Sequence, residues 1–318
     1  MEYVKLGNTG MEVSKLCLGC MGFGEPERGR EKWSIGEAES REVIKKALDS
    51  GINFFDTANL YSAGSSEEIV GKALKDFANR DEIVLASKLY FPMFDGPNAK
   101  GLSRKSIFAE IDHSLKRLQT DYLDLYIIHR WDYDTPIEET MEALHDLVKM
   151  GKVRYIGASS MHAWQFAKAQ FIAEKNGWTK FVSMQNLYNL LYREEEREMI
   201  PLLQDQNVAM TPWSPLAGGR LTRDIGAITA RASQAVQADL PAYIVASDNE
   251  VISRVHKLAD ERGITRGQVA TAWMLSKDYV TAPLIGATKV NYLDDALGAF
   301  EVALSAEEIK YLEEAYVP

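Results

Sequence analysis

Four ionisable side chains in this 318-residue chain stand where apolar runs come to an end. Asp56 closes the aromatic pair of "NFFD", Lys88 lies in "LASKLY" and His129 in "LYIIHRWD". Tyr61 follows Asp56 by five positions, in "FFDTANLY". Taken singly each has a bland reading: a helix cap, a surface charge, a loop aromatic, a satisfied buried imidazole. Their recurrence at successive run ends favours a shared task. A phenol has an ordinary pKa near ~10, too high for efficient proton transfer at neutral pH. An ammonium beside it favours phenolate and lowers that value. Lys88 is the candidate for this part, with Asp56 as its ion-pair anchor. His129 is suited to orient a carbonyl oxygen toward Tyr61. Together the four describe proton delivery to a carbonyl oxygen while hydride reaches the carbon.

Such side chains need a frame that brings run ends to one rim. Candidate strands fall at 13–19, 53–58, 83–89, 124–130, 153–159, 181–187, 208–213 and 280–285. Most are nearly continuous apolar runs, as expected of strands buried on both faces of a parallel sheet. Helical stretches alternate with them. Residues 36–50 put Val43, Ile44, Ala47 and Leu48 on one face before Gly51. Residues 103–119 do the same with Ile107, Phe108, Ile111, Leu115 and Leu118. Ser34/Glu37, Thr135/Glu138 and Ser305/Glu308 carry the capping-box spacing, with Pro136 at a first helical position. Eight strands with intervening helices predict a (β/α)8 TIM barrel forming one domain over 1–318, whose reactive groups sit at the C-terminal strand ends. A doubly wound open sheet is the alternative, but Gly19, Gly22 and Gly24 lack the G-x-G-x-x-G spacing. Residues 217–247 read as a long loop after the seventh strand, and "EYVKLG" with "EVSKL" as a hairpin across the barrel bottom. The acidic run "REEERE" at 193–198 reads as the solvated opening of a helix.

Composition narrows the partners. The net charge of −10 disfavours nucleic acid, and no apolar run is long enough for a membrane span. The start "MEYVKLGNTG" lacks the pattern of a secretory signal, so a cytoplasmic location is expected. Cys17 and Cys20 form a C-x-x-C spacing, yet "VSKLCLGC" reads as a strand entering a glycine turn. No second ligand pair with finger spacing accompanies it. Buried free thiols and no metal are the expectation.

At these residues the chain resembles the aldo-keto reductase superfamily. "GINFFDTANLYSAGSSEEIVGKAL" is similar to the family signature around its aspartate and tyrosine, and Lys88 and His129 complete the family's tetrad. The similarity runs from "KLGNTGMEVSKLCLG" to "LIGATKV". "IHRWD", "RYIGASSMH" and "YREEERE" match most closely the bacterial YajO-type and aryl-alcohol dehydrogenase-like branch.

The resemblance implies NADPH, with NADH the alternative, extended across the barrel top without a Rossmann domain. It assigns Cys20 and Met21 to the nicotinamide ribose end, and it counts Asp56 in the cofactor set as well. Ser159, Ser160 and Gln185 fall to the carboxamide, and Trp213 to the nicotinamide ring. The segment Ser214, Pro215, Leu216, Ala217, Gly218 and Gly219 matches the pyrophosphate cradle. Gly286, Thr288 and Lys289 match the 2′-phosphate end, with Tyr292 and Asp295 beside adenine. The family asparagine after the acidic residue is replaced by Ala296, and Tyr292 stands where Gln or Arg is frequent. Stacking of Tyr292 on adenine, and a phosphate contact from Arg223 or Arg231, are the compensations expected.

Trp33, Tyr90 and Trp131 form the candidate pocket for a small-molecule carbonyl substrate, with Arg130 and Lys32 as anion partners. Two other functions fit the same rim: a sugar-phosphate-converting enzyme using it for proton shuffling, and a cofactor-binding regulatory subunit with little turnover. Potassium-channel β subunits, which resemble the family in that second way, lack the histidine that this chain keeps as His129.

Overall fold

The computed structural model of the chain describes residues 1–227 and 248–317. Its frame is one parallel sheet made of β3 (Cys17–Gly19), β4 (Phe54–Asp56), β5 (Val84–Leu89), β6 (Leu123–Ile128), β7 (Val153–Ser159), β8 (Ser183–Gln185), β9 (Ala209–Met210) and β10 (Leu284–Gly286). The spatial order is β10-β3-β4-β5-β6-β7-β8-β9. The two ends of this series meet. Thr281 N–H donates to the Met210 carbonyl at 2.8 Å and Leu284 N–H to that of Pro212 at 2.9 Å, and Met210 bridges Val280. The sheet therefore closes on itself as a barrel, with the helices outside it, which is the (β/α)8 arrangement.

Side-chain alternation along each strand sorts the residues into two sets. Cys17, Phe54, Val84, Ala86, Leu125, Ile127, Ala209 and Leu284 fill the barrel interior. Leu18, Phe55, Leu85, Leu89, Tyr126, Ile128, Ile156, Ala158 and Met184 face outward into the layer under the helices. The interior set continues to the rim with the same parity. Asp56 follows Phe54, Lys88 follows Ala86 and His129 follows Ile127. On β7, a Cβ added at Gly157 would lie 2.5 Å from Ser183 Oγ and 3.2 Å from Ile127 Cγ1. Gly157 is thus an interior position kept small, and Ser159, two residues on, shares its side.

The opposite end is closed by an antiparallel hairpin of β1 (Tyr3–Lys5) and β2 (Glu12–Ser14), with Val4 opposite Val13. Val4, Leu6, Met11 and Val13 pack onto the interior cluster. Gly7, at φ +57, lies so close that a Cβ would be 2.8–2.9 Å from Ala209 N, Asn207 O and Val182 O.

Helices α1 (Glu37–Asp49), α2 (Ser65–Phe77), α3 (Arg104–Leu118), α4 (Ile137–Lys149) and α5 (Ala163–Asn176) follow the strands in turn. Helix α1 buries Val43, Ile44 and Ala47, and α3 buries Ile107, Ile111 and Leu118. Between α2 and α3, Arg117 Nε donates to the fully buried Glu67 at 2.6 Å, and Ser87 Oγ donates to the same carboxylate at 2.5 Å. This ties both helices to β5 directly beside Lys88.

Several local expectations are corrected. The run 13–19 is two strands: its start belongs to the hairpin and Cys17–Gly19 to the barrel, because the chain must turn from the barrel floor into its wall. The last strand starts after Pro283, which has no N–H to give to the ladder. Of the three capping boxes only Ser305/Glu308 forms. The Ser34 hydroxyl donates to the Gly24 carbonyl and that of Thr135 to Asp132, so other acceptors have taken both. Pro136 is the N-cap of α4 rather than its first helical residue. The acidic run is not a solvated helix opening. Glu194–Glu196 form a 3-10 turn in which Glu196 accepts from Arg193 and Tyr188, and the helix begins at Met199. Cys17 and Cys20 are free and buried. Among the described residues no cluster of His, Cys, Asp and Glu could hold a metal, and no helix is long and apolar enough to cross a membrane. Residues 228–247, most of the expected long loop and including Arg231, lie outside the described residues.

Candidate active site

The rim brings Asp56, Tyr61, Lys88 and His129 together. Lys88 is 0% exposed and Asp56 1%. The Lys88 ammonium donates to Asp56 Oδ1, to the Thr57 carbonyl at 2.9 Å and to the Tyr61 hydroxyl at 3.2 Å. All three of its protons are therefore placed. The second Asp56 oxygen accepts from Gln185 Nε2 at 2.9 Å, across 129 residues of sequence. Tyr61 is 9% exposed and meets the His129 ring edge-on, with centroids 5.8 Å apart. His129 is 8% exposed, and its Nδ1 is buried without a hydrogen-bond partner among the described residues.

Burial and charge oppose each other here. Burial pulls the Lys88 ammonium toward its neutral form, but the Asp56 carboxylate and Tyr61 outweigh it and the pKa rises to about 12. Burial also pushes the Tyr61 phenol above its ordinary value, and Lys88 only partly offsets this. The expected net lowering of Tyr61 by the ammonium is thus corrected: desolvation wins, and the phenol is held protonated. Burial, with Lys88 and Arg130 nearby, pulls His129 well below its usual value, so its imidazole is neutral.

Beside this quartet lies a second polar group. Ser159 Oγ donates to the Gln185 carbonyl at 2.7 Å, and Trp213 Nε1 donates to Ser160 Oγ at 3.2 Å. Ser160 is held at φ +53, its N–H given to Asn186 Oδ1 at 2.8 Å. Asp56 joins the two groups through Gln185. Downstream, Ser214, Ala217, Gly218 and Gly219 all have positive φ. The segment is a series of tight turns, in which Ala217 N–H donates to the Ser214 carbonyl and Gly219 N–H to that of Leu216, each at 2.9 Å. Across the rim, Gly22 is pressed between Thr288 and Trp33: a Cβ there would be 2.9 Å and 3.1 Å from them. Trp33, expected in the substrate pocket, thereby stands among residues assigned to the cofactor. Gly286 and Lys289 are exposed near the start of the helix Val290–Gly298, with Asp295 on it. Lys289 Nζ sits 6.0 Å from the Tyr292 ring, which is 38% exposed. Cys20 has its thiol in the core and its carbonyl bound by Ser66, while Met21 is half-buried. Arg223 is exposed.

Side chains missed in the sequence complete the picture. Phe91 packs edge-on against His129 at 5.1 Å and against Tyr90 at 5.2 Å, and Trp164 stands 6.1 Å from Trp131. Tyr90, Phe91, Trp131 and Trp164 make an aromatic border around His129. Arg130 donates to the His129 carbonyl and lies over Phe91, and Lys32 donates to the Pro26 carbonyl. Only the neighbouring Tyr90 and Trp131 hinted at Phe91 and Trp164.

Glu195, also missed, accepts from Asn186 Nδ2 at 2.6 Å. Burial, with Glu194 adding to it, pushes its pKa to about 7 from an ordinary 4.5. Between those values the folded chain keeps a proton that the unfolded chain has released, so Glu195 lowers stability as pH rises through that window. Glu195→Gln is expected to raise the unfolding midpoint over the parent by more at pH 8 than at pH 5. Thermal melts at both pH values check this, and an equal difference at both would refute it.

Comparison with known proteins gives the family. The model of the Aldo/keto reductase family matches residues 15–317. A versiconal hemiacetal acetate reductase of Aspergillus parasiticus is 46% identical over 342 aligned positions, covering 100% of this chain and 98% of the relative. A protein of Schizosaccharomyces pombe provisionally named an aryl-alcohol dehydrogenase is 47% identical, over 99% of this chain and 96% of its own length. An aldo-keto reductase of Alternaria alternata is 45% identical, over 99% and 91%. With its closed (β/α)8 barrel and a match over nearly its whole length, the chain belongs to the aldo/keto reductase family and is an oxidoreductase.

Proposed function

We propose that this enzyme reduces aldehydes and ketones to alcohols, with NADPH as hydride donor and Tyr61 as general acid. The observation that carries the reading is the Tyr61 hydroxyl at 3.2 Å from the buried Lys88 ammonium, which is itself anchored on Asp56. Family membership supports nicotinamide chemistry of the NAD(P)H kind.

The residues present fit such a cofactor. The small residues Ser214, Ala217, Gly218 and Gly219, set in tight turns, suit close approach of a pyrophosphate. Gln185 spends its amide nitrogen on Asp56, which leaves its amide oxygen for a carboxamide donor. Bound in its reduced form, the nicotinamide supplies hydride to the carbonyl carbon. The chain supplies the rest. Tyr61 gives its proton to the carbonyl oxygen, and the phenolate that remains is stabilised by the Lys88 ammonium until it is reprotonated. Neutral His129 orients the carbonyl without competing for the proton. The aromatic border of Tyr90, Phe91, Trp131 and Trp164 excludes water and favours flat apolar substrates. The name of the aryl-alcohol dehydrogenase relative points the same way.

NADPH oxidation over a panel of aromatic and aliphatic aldehydes, ketones and pentose phosphates tests the reading. Aromatic carbonyls are expected to be turned over fastest. Conversion of a pentose phosphate in the arm without cofactor, and of nothing in the arm with NADPH, would favour proton shuffling instead. Exposed Lys289, beside Tyr292, favours a 2′-phosphate. Fluorescence titration is therefore expected to show tighter binding of NADPH than of NADH, and equal affinities would remove that preference.

A further inference from the structure

We infer that Glu31 is a positioning residue that sets the geometry of Tyr61 by holding the turn that follows it. The inference rests on the reading of Tyr61 as the acid. After Tyr61 the chain passes through Ser62 at φ +45, Ala63 at φ +50 and Gly64 at φ +88 before α2 begins. Two successive non-glycine residues in left-handed backbone persist only where the surroundings impose it. The imposing groups come from the loop between β3 and α1. Glu31, 6% exposed, accepts the Ser62 N–H on its Oε2 at 3.0 Å. Arg28 donates to the Ala63 carbonyl at 3.2 Å and pairs with Glu68 on α2 at 2.7 Å. Ser65 Oγ donates to the Ser62 carbonyl and accepts from Glu25 N–H.

The fit around Ser62 is tight on two sides. A Cβ at Gly24 would lie 2.3 Å from the Ser62 Cβ, and one at Gly29 would lie 2.4 Å from its Cα. The loop therefore encloses the turn, and the Glu31 carboxylate is its polar contact with the peptide joining Tyr61 to Ser62. On the other side, Tyr61 N–H donates to the Ala58 carbonyl at 3.2 Å. Both peptide bonds flanking Tyr61 are thus held. Without the Glu31 oxygen, the buried Ser62 N–H loses its acceptor and the turn is free to relax toward ordinary backbone angles. That relaxation swings the Tyr61 Cα–Cβ bond and moves the hydroxyl off Lys88, while the cofactor residues on β7, β8 and the segment after β9 stay where they are.

Turnover of one aromatic aldehyde with NADPH is compared for the parent, Glu31→Ala, Glu31→Gln, Tyr61→Phe and the Glu31→Ala/Tyr61→Phe double variant, with thermal melts of each. Glu31→Ala is expected to lower kcat by roughly 10–100-fold, the scale of an ångström-level misplacement of a reacting group. The KM for NADPH stays near the parent's. Glu31→Gln, whose amide oxygen still accepts from Ser62, recovers most of the loss. In the Tyr61→Phe background Glu31→Ala is expected to cost nothing further, because both changes act on one group. The same fold-loss in both backgrounds would overturn the inference, as would parental turnover in Glu31→Ala. Should the alanine protein not fold, Glu31→Asp withdraws the oxygen by one methylene while keeping the charge. It is expected to lose turnover in the same way, and parental turnover there would also overturn the role. Parental turnover in Tyr61→Phe alone would instead sink the assignment of Tyr61, and with it the role of Glu31.

Discussion

Tyr61→Phe is expected to lower turnover by roughly 10²–10⁴-fold, the usual contribution of a positioned general acid, while NADPH still binds. The change removes one oxygen and keeps the ring, so the edge-on packing with His129 survives. Lys88 retains its bonds to Asp56 and to the Thr57 carbonyl, so its charge is not stranded. The loss of one hydrogen bond is expected to shift stability by only about 1 kcal/mol. The signature is a collapse of kcat with little change in cofactor affinity or unfolding midpoint. Since burial holds the phenol above its ordinary pKa, the parent keeps its acid protonated across neutral pH. A variant with near-normal kcat would show that the carbonyl oxygen takes its proton from another group.

Lys88→Met is expected to damage both stability and chemistry. It leaves the Asp56 carboxylate at 1% exposure with Gln185 but no cation. Breaking a buried pair by removing one partner costs about 3–5 kcal/mol. The pH dependence has a definite sign. The folded-state pKa of Lys88, about 12, lies above its ordinary 10.5. The stabilisation is therefore fully present below pH 10.5 and fades as pH rises through 12. Denaturant melts of parent and variant are expected to differ by a constant amount between pH 6 and 9 and to converge above 10.5. In the chemistry, the main group that lowers the Tyr61 pKa is gone, and burial is opposed only by the more weakly acting Arg130. Turnover is expected to fall, and the basic limb of the reduction profile to move to higher pH. An unmoved profile would separate Lys88 from Tyr61 functionally.

Asp56, Lys88 and His129 were legible because strand alternation is a local property, and Tyr61 by its nearness to Asp56 in the chain. Phe54 and Asp56, Ala86 and Lys88, and Ile127 and His129 are each two residues apart, so a strand points both members of each pair to one side. Once those runs are strands of one parallel barrel, their ends must meet at one rim. The helices were legible for a similar reason, through the periodic burial of Val43, Ile44 and Ala47 in α1. What failed locally failed through competing side-chain partners. Ser34 and Thr135 had the spacing of caps, but Gly24 and Asp132 offered their hydroxyls better placed acceptors. The acidic run at 193–198 has the composition of a solvated helix start, yet Tyr188 and Arg193 draw Glu196 into a turn.

Order and parity along the chain pointed to a strand-helix barrel with Asp56, Lys88 and His129 at one rim, and the residue types there, with Tyr61 close by, pointed to carbonyl reduction. Burial and long-range pairing were left to the folded molecule. Nothing near "FFDTANLY" announces that Asp56 also holds Gln185 from 129 residues away, or that Glu31 grips Ser62. Nor does it reveal that burial outweighs the ammonium, so that the Tyr61 phenol stays protonated. Those outcomes depend on how much water the closed barrel excludes and on which loops cross its rim. Both are properties of the packed chain, and neither is encoded in the spacing of neighbouring residues.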